Sequence, residues 1–330
     1  MNRVAQACKK IGGYVALAAV CVACSATVAG VDDDQTVGQE TSQGTGQSVE
    51  IASGDKEDEK PVSFGVLAID SAVSVNERYS PLLTYLSEKI GRPFELVILS
   101  QETQFTEVEE GGVDFSMNNP LAAVQIQRLY DTDFFLTLSR PKTGTEFSGL
   151  IIASSNSDIT SVEDLSGKRA ACVDFETAAA GCIFQIYHLL QQDFDPAQDF
   201  SSFVENKSQD NIVLSVLNGS IDVGFIRTGQ LEKMVDKGLL TSLDEVRIID
   251  QAEDEFLYPH TTALYPEWPV AALSTTDPQL KEQVKTALLE MPADHPALGA
   301  LKAASFTAAV DYNPIHDLIE TLQLKSWDAN

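Results

Sequence analysis

The chain is poor in basic residues, cysteine and histidine, and it has no apolar run of bilayer length. Lys and Arg total 22 against 49 Asp and Glu, a formal net charge of −27. Such a field repels phosphate backbones and anionic lipid surfaces, which argues against nucleic-acid partners. It also opposes an anionic ligand unless basic groups gather locally, and Arg78, Arg140, Lys142 and Arg227 are the candidates for that. The four histidines, His188, His260, His295 and His316, are scattered, and no His or further Cys stands at ligand spacing. No metal and no cofactor is therefore expected. A Gly-x-Ser-x-Gly elbow, a His-Glu-x-x-His pair and a phosphate-cradling Gly-Lys-Ser are all missing. Catalysis is the weaker class of function.

What the chain does have begins with an export signal. Arg3, Lys9 and Lys10 precede an apolar stretch from Ile11 to Val22, and the small residues Ala23, Cys24, Ser25 and Ala26 follow. At about a dozen residues the stretch falls short of the ~20 that a permanent spanning helix needs. Residues 1–26 read as a signal peptide of lipoprotein type with Cys24 as the lipidated residue. Cleavage by the ordinary peptidase after Ala26 or Ala29 is the rival reading, because Cys21 stands where a lipoprotein signal carries an aliphatic residue. Residues 27–60 read as a disordered acidic tether: between residues 31 and 60 nine acids face two lysines, with few large apolar side chains. The expected location is periplasmic, with the protein held at a membrane by an N-terminal lipid. Of the five cysteines, only Cys172 and Cys182 lie in the folded part. A disulfide and a pair of buried thiols are both open readings.

From Pro61 onward short β-type apolar runs alternate with segments of helical period, the pattern of an α/β fold. Val62–Ile69, Phe94–Leu99 and Val113–Met117 read as strands, and helices follow from Tyr79 to Ile90 and from Pro120 to Tyr130. Strands are expected near Phe134–Leu138, Gly149–Ala153, Arg169–Val173, Ile221–Ile226 and Val246–Asp250. Helices are expected from Ser161, through Gln191 and Gln209–Leu217, over Thr228–Lys237, and near Gln279–Glu290 and Ile315–Leu324.

Ligands of open α/β sheets bind where strands end and helices begin, because unpaired backbone N–H groups and helix dipoles converge there. Five such junctions can be named: Ser71–Tyr79, Asn118–Pro120, Glu176–Gly181, Lys207–Asp210 and Arg227–Thr228. The candidate ligand-contacting residues at or near them are Tyr79, Asn118, Asn119, Glu176, Thr177, Ala178, Ala179, Gln209, Asp210, Arg227 and Thr228, joined by Thr261. Asp210 and Glu176 suit an amine-bearing ligand. Tyr265 and Trp268 allow either an aromatic cage for a cation or packing beside a hinge.

Five segments carry a resemblance to a known family: ERYSPLLTYLSEKIGRPFELV (77–97), GGVDFSMNNP (111–120), ITSVEDLSGKRAACVD (159–174), NIVLSVLNGSIDVGFIRTGQLEKM (211–234) and TTALYPEWPVAAL (261–273). Together they resemble the phosphonate-binding, PhnD-like type of periplasmic solute-binding protein. The last segment is similar to the branch used as sensor domains of histidine kinases. The resemblance implies a type II periplasmic-binding fold of two lobes and two hinge strands, each lobe a mixed sheet flanked by helices. Lobe 1 would hold residues 61–148 and 263–330, and lobe 2 residues 149–262. It also implies a monomeric receptor that closes over a small polar or anionic solute for an ABC permease, or presents it to a separate histidine kinase. One departure stands out. Phosphonate binders carry a Ser-Thr-Ser-Gly loop where this chain has Thr177-Ala178-Ala179-Ala180-Gly181, a loss of about three hydroxyl donors worth on the order of 0.5–1.5 kcal/mol each.

Overall fold

The computed structural model describes residues 60–69, 71–100 and 103–324. The signal segment with Cys24 and nearly all of the tether lie outside the described residues. Among the described residues there are thirteen strands: β1 (Val62–Leu67), β2 (Phe94–Leu99), β3 (Phe115–Met117), β4 (Asp133–Ser139), β5 (Glu146–Phe147), β6 (Gly149–Ser154), β7 (Arg169–Cys172), β8 (Ser202–Glu205), β9 (Val223–Arg227), β10 (Val246–Ile249), β11 (Tyr265–Pro266), β12 (Pro269–Ala272) and β13 (Ser305–Ala308). They form a six-stranded sheet of order β13-β4-β12-β3-β1-β2, a five-stranded sheet of order β10-β6-β9-β7-β8 and a two-stranded ribbon of β5 and β11.

The chain leaves the six-stranded sheet after β4, passes through β5 into the five-stranded sheet, and returns from β10 through β11 to β12. The antiparallel ribbon, with Tyr265 opposite Phe147 and Pro266 opposite Glu146, is therefore the double crossing between two lobes. Aromatic packing stiffens it. Phe184, the first residue of the helix Phe184–Gln191, stacks on Tyr265 at 3.8 Å between ring centroids and lies 5.6 Å from Phe147. Tyr265 and Trp268 are both buried, so packing beside the hinge is the environment these two rings occupy rather than an open cage. Hydroxyls complete the crossing. The Ser148 amide donates to Thr228 Oγ1 at 3.2 Å, Ser148 Oγ donates to the Thr262 carbonyl at 2.7 Å, and the Gly149 amide donates to Thr262 Oγ1 at 3.0 Å.

In both sheets parallel strands part company at a switch point. β1 pairs in parallel with β2 on one side and β3 on the other, and β7 does the same with β8 and β9. The loops leaving such neighbouring strands diverge to opposite faces and open a crevice at the strand carboxyl ends.

Several elements begin elsewhere than the sequence suggests. Ser71 caps the first helix, Ala72–Ile90, a full turn and more ahead of Tyr79. The helix expected from Ser161 is only a single 3-10 turn, Glu163–Leu165. Asp164 Oδ2 accepts from the amides of Thr160 and Ser161, and Gly167 stops the turn in the left-handed region at φ 73°. The segment opening at Thr228 becomes helical only at Gln230, because Gly229 holds φ 78°, a conformation that excludes regular helix.

Candidate functional site

Asn119 is held by its role as a cap. Its Oδ1 accepts the Ala122 amide at 3.1 Å, Pro120 occupies the first helical position, and the helix runs to Tyr130. This fixes the rotamer and turns Nδ2 toward the other lobe, where it donates to the Thr177 carbonyl at 3.0 Å. One amide side chain thus caps a helix of the first lobe and binds the backbone of the second. The bond joins the two switch points directly, so the described form is one with the lobes in contact there.

Asn118 immediately precedes it, at the carboxyl end of β3, and is 1% exposed. Neither Oδ1 nor Nδ2 of Asn118 has a hydrogen-bond partner. An amide buried this way is costly, on the order of 1–3 kcal/mol, and is rare in folded proteins without a specific reason.

On the opposite side the loop between β7 and the following helix is closed at its base three times over. A disulfide joins Cys172 to Cys182, the Val173 amide donates to the Gly181 carbonyl at 2.9 Å, and a Cβ at Gly181 would lie 2.7 Å from Val173 Cγ2. Inside it, Asp174 Oδ1 accepts from the amides of Glu176 and Thr177 at 2.9 and 2.8 Å and from Thr177 Oγ1 at 3.0 Å, while Lys207 Nζ reaches Oδ2 at 2.6 Å. Burial alone would raise the Asp174 carboxyl, but Lys207 and the two loop amides outweigh it and hold the group below the usual carboxylate range. Ala178 and Ala179 are buried under this loop in the lobe core, and Glu176 is exposed at its edge.

Arg227 closes the strand β9. Its amide donates to Gln209 Oε1 at 2.8 Å, so two expected site residues from different junctions meet. Its guanidinium goes elsewhere, to Glu267 Oε1 at 3.2 Å, while Arg140 Nε donates to the same oxygen at 3.3 Å. Glu267 is fully buried, between β11 and β12, and its Oε2 accepts the Trp268 amide at 3.3 Å. Two cations and one carboxylate thus sit at the hinge, one cation from each sheet. Burial pushes the Arg227 guanidinium down, Glu267 opposes this, and the like charges of Arg140 and Arg78 add to the depression.

The expected site residues therefore divide. Asn118, Asn119, Thr177, Gln209 and Arg227, with Glu176, Ala178 and Ala179 alongside Thr177, flank the switch points. Thr228 and Thr261 serve the hinge: Thr228 exchanges bonds with Ser148, and Thr261 Oγ1 donates to the Ile249 carbonyl at 2.8 Å and accepts the Ile151 amide at 3.2 Å. Asp210 binds Gln230 and Lys237, linking the helices Gln209–Leu217 and Gln230–Asp236. Tyr79 is buried in the core of the first lobe. Asp174 and Glu267 were not anticipated, and Lys207 was placed only at the edge of a junction and not among the contacting residues. Asp174 had a readable signal, an acid two and three residues ahead of the amides it captures, the spacing of an Asx-type turn. Glu267, inside an aromatic and Pro-rich stretch, had none.

Two surface cavities, of about 400 and 320 Å³, lie away from the Asn119 and Thr177 contact, one against Thr132 and Lys281 and the other against Ser155 and Asp244. Among the described residues no group of His, Cys, Asp and Glu is placed to hold a metal ion, and no helix is long and apolar enough to cross a membrane.

Residues 64–313 match the family described as ABC transporter, phosphonate, periplasmic substrate-binding protein. The chain belongs to this family. The fold agrees with that of solved members of the family. A binding protein component of an ABC phosphonate transporter from Pseudomonas aeruginosa is similar with a TM-score of 0.66 at 17% identity, over 82% of this chain and 90% of that one. PhnD1 from Prochlorococcus marinus, solved with methylphosphonate, gives 0.67 at 15% identity, over 80% and 99%. The tetrathionate sensor histidine kinase TtrS of Salmonella typhimurium is 25% identical over 236 residues, 70% of this chain. The phosphonate-family chain spans 40% of the length of that relative.

Proposed function

We propose that the protein is a monomeric receptor that closes over one small polar or anionic solute at the facing switch points, binds it without chemistry, and delivers it to an ABC importer. The carrying observation is Asn118: a buried amide with both polar atoms unpartnered, just past the end of β3, one residue from the side chain that touches the other lobe. A ligand that meets Asn118 and the loop around Thr177 touches both lobes, which is the condition for closure to be favoured by binding. The alanines at 178–180 leave backbone N–H groups rather than hydroxyls as the donors of that loop, a setting that suits a less demanding acceptor than a phosphonate dianion.

Titration calorimetry with methylphosphonate and with tetrathionate as probes tests this. The wild type is expected to bind one of them, and Asn118→Ala to bind it roughly ten- to a hundred-fold more weakly, the 1–3 kcal/mol of a hydrogen bond partner lost in a buried site. Equal affinity in the variant would remove Asn118 from the site.

The similarity to the sensor kinase of Salmonella favours a second reading, in which the closed receptor is presented to a separate histidine kinase. Cross-linking in membranes separates the two, through the identity of the protein captured: an importer permease or a kinase. In either case we place the protein at a membrane through a lipid on Cys24. Cys24→Ser is expected to move it to the soluble fraction, and a wild type that never incorporates radiolabelled palmitate would rule the anchor out.

A further inference from the structure

We propose that Asp174 is a positioning residue of the ligand site, whose carboxylate sets the loop that offers the Thr177 carbonyl to Asn119 and so sets how firmly the two lobes close on a solute. This rests on the receptor reading above. Asp174 is 8% exposed, yet both its oxygens are used. Oδ1 gathers the amides of Glu176 and Thr177 and the Thr177 hydroxyl, which fixes the backbone that carries the Thr177 carbonyl. Oδ2 takes Lys207 Nζ at 2.6 Å, and Lys207 also lies 3.4 Å from Glu205 Oε2. Lys207 adjoins Ser208, whose hydroxyl caps the helix that begins at Gln209, and Gln209 Oε1 in turn holds the Arg227 amide. Arg227 ends on Glu267 in the hinge.

Asp174 thus ties the β7 loop to the β8 junction, and through it the tip that meets the first lobe is braced against the strand that leads to the hinge. Neither the disulfide nor the Val173 to Gly181 bond can do this. Both close the base of the loop and leave the orientation of the Thr177 peptide, several residues away, undetermined. A carboxylate is suited to it because three donors on one side and an ammonium on the other require an acceptor-only group with two oxygens.

A double-mutant cycle on the full chain decides the matter, with calorimetry of whichever of methylphosphonate and tetrathionate the wild type binds. Asp174→Ala is expected to weaken that probe about tenfold in the wild-type background and hardly at all in Asn119→Ala, because the effect travels through the contact already removed. Asp174→Asn, which keeps one oxygen for the loop donors but sets an amide NH2 against Lys207, should recover only part of the loss. A merely structural residue would lower the melting temperature and weaken the probe equally in both backgrounds, with no recovery by Asn, and that pattern overturns the proposal. Amide hydrogen exchange without any probe gives an independent arm. Faster exchange at Glu176 and Thr177 in Asp174→Ala is expected, and unchanged exchange there also overturns it. A wild type that binds neither probe defeats the receptor reading as tested with these probes, while the exchange result still decides whether Asp174 orders the loop.

Discussion

Glu267→Leu is expected to lower the free energy of unfolding by about 3 kcal/mol, the low end of the range for removing one partner of a buried ion pair. The reason is the charge left behind. Arg140 and Arg227 both point at one carboxylate oxygen, and without it two guanidiniums face each other at the hinge. Their side chains are 22% and 21% exposed, so solvent relieves part of the penalty and the upper end of the range is not reached. Urea titration checks the value, and a loss below about 1 kcal/mol would mean that the arginines find other partners. Replacing all three residues with apolar ones of similar size should return most of the stability, because the cost comes from the unpaired charges and not from the shape. Tyr312 supports the same point, since its hydroxyl donates to the Glu267 carbonyl at 2.8 Å; burial raises that hydroxyl well above its ordinary pKa.

Phe184→Ala should be at least as damaging, with about 3–5 kcal/mol lost. The ring is completely buried and packs against the cross-strand pair Tyr265 and Phe147 of the ribbon. A cavity at a crossing made of two two-residue strands has little surrounding structure that can collapse into it. Thermal unfolding measured alongside small-angle scattering separates the consequences. Lower stability with a wider spread of lobe separations is expected. A variant as stable and as compact as the wild type would show that the ribbon holds without the stack.

The parallel strands with strong β-branched or aromatic content were legible in the sequence, and so were the helix starts at Pro120 and Gln209, because each is a local decision. Phe94–Leu99 and Pro120–Tyr130 have the expected limits. The strands that escaped notice are those chosen by tertiary context. β12 reads Pro-Val-Ala-Ala, yet it lies between β3 and β4 in the middle of the larger sheet, antiparallel to both and with an irregular register at Val270 and Ala271. β13 and β8 are short edge strands with little pattern of their own.

The site was legible to the same extent. A residue type at a strand end can be read as polar and available, but not which neighbour it will choose. Thr261 looks like a ligand hydroxyl in sequence and is used to stitch β6 to β10. Arg227 looks like an anion partner and is shared with Glu267, forty positions away. Contacts of that separation are set by the fold, and a single chain offers no local trace of them.

The sulfur bridge between Cys172 and Cys182 bears on how the protein should be made. It sits at the foot of the loop whose tip touches the opposite lobe, so material from a reducing cytosol would carry that loop on a frayed footing although both sheets were intact. Affinities measured on such material would belong to a slacker receptor than the one that passes through an oxidising compartment.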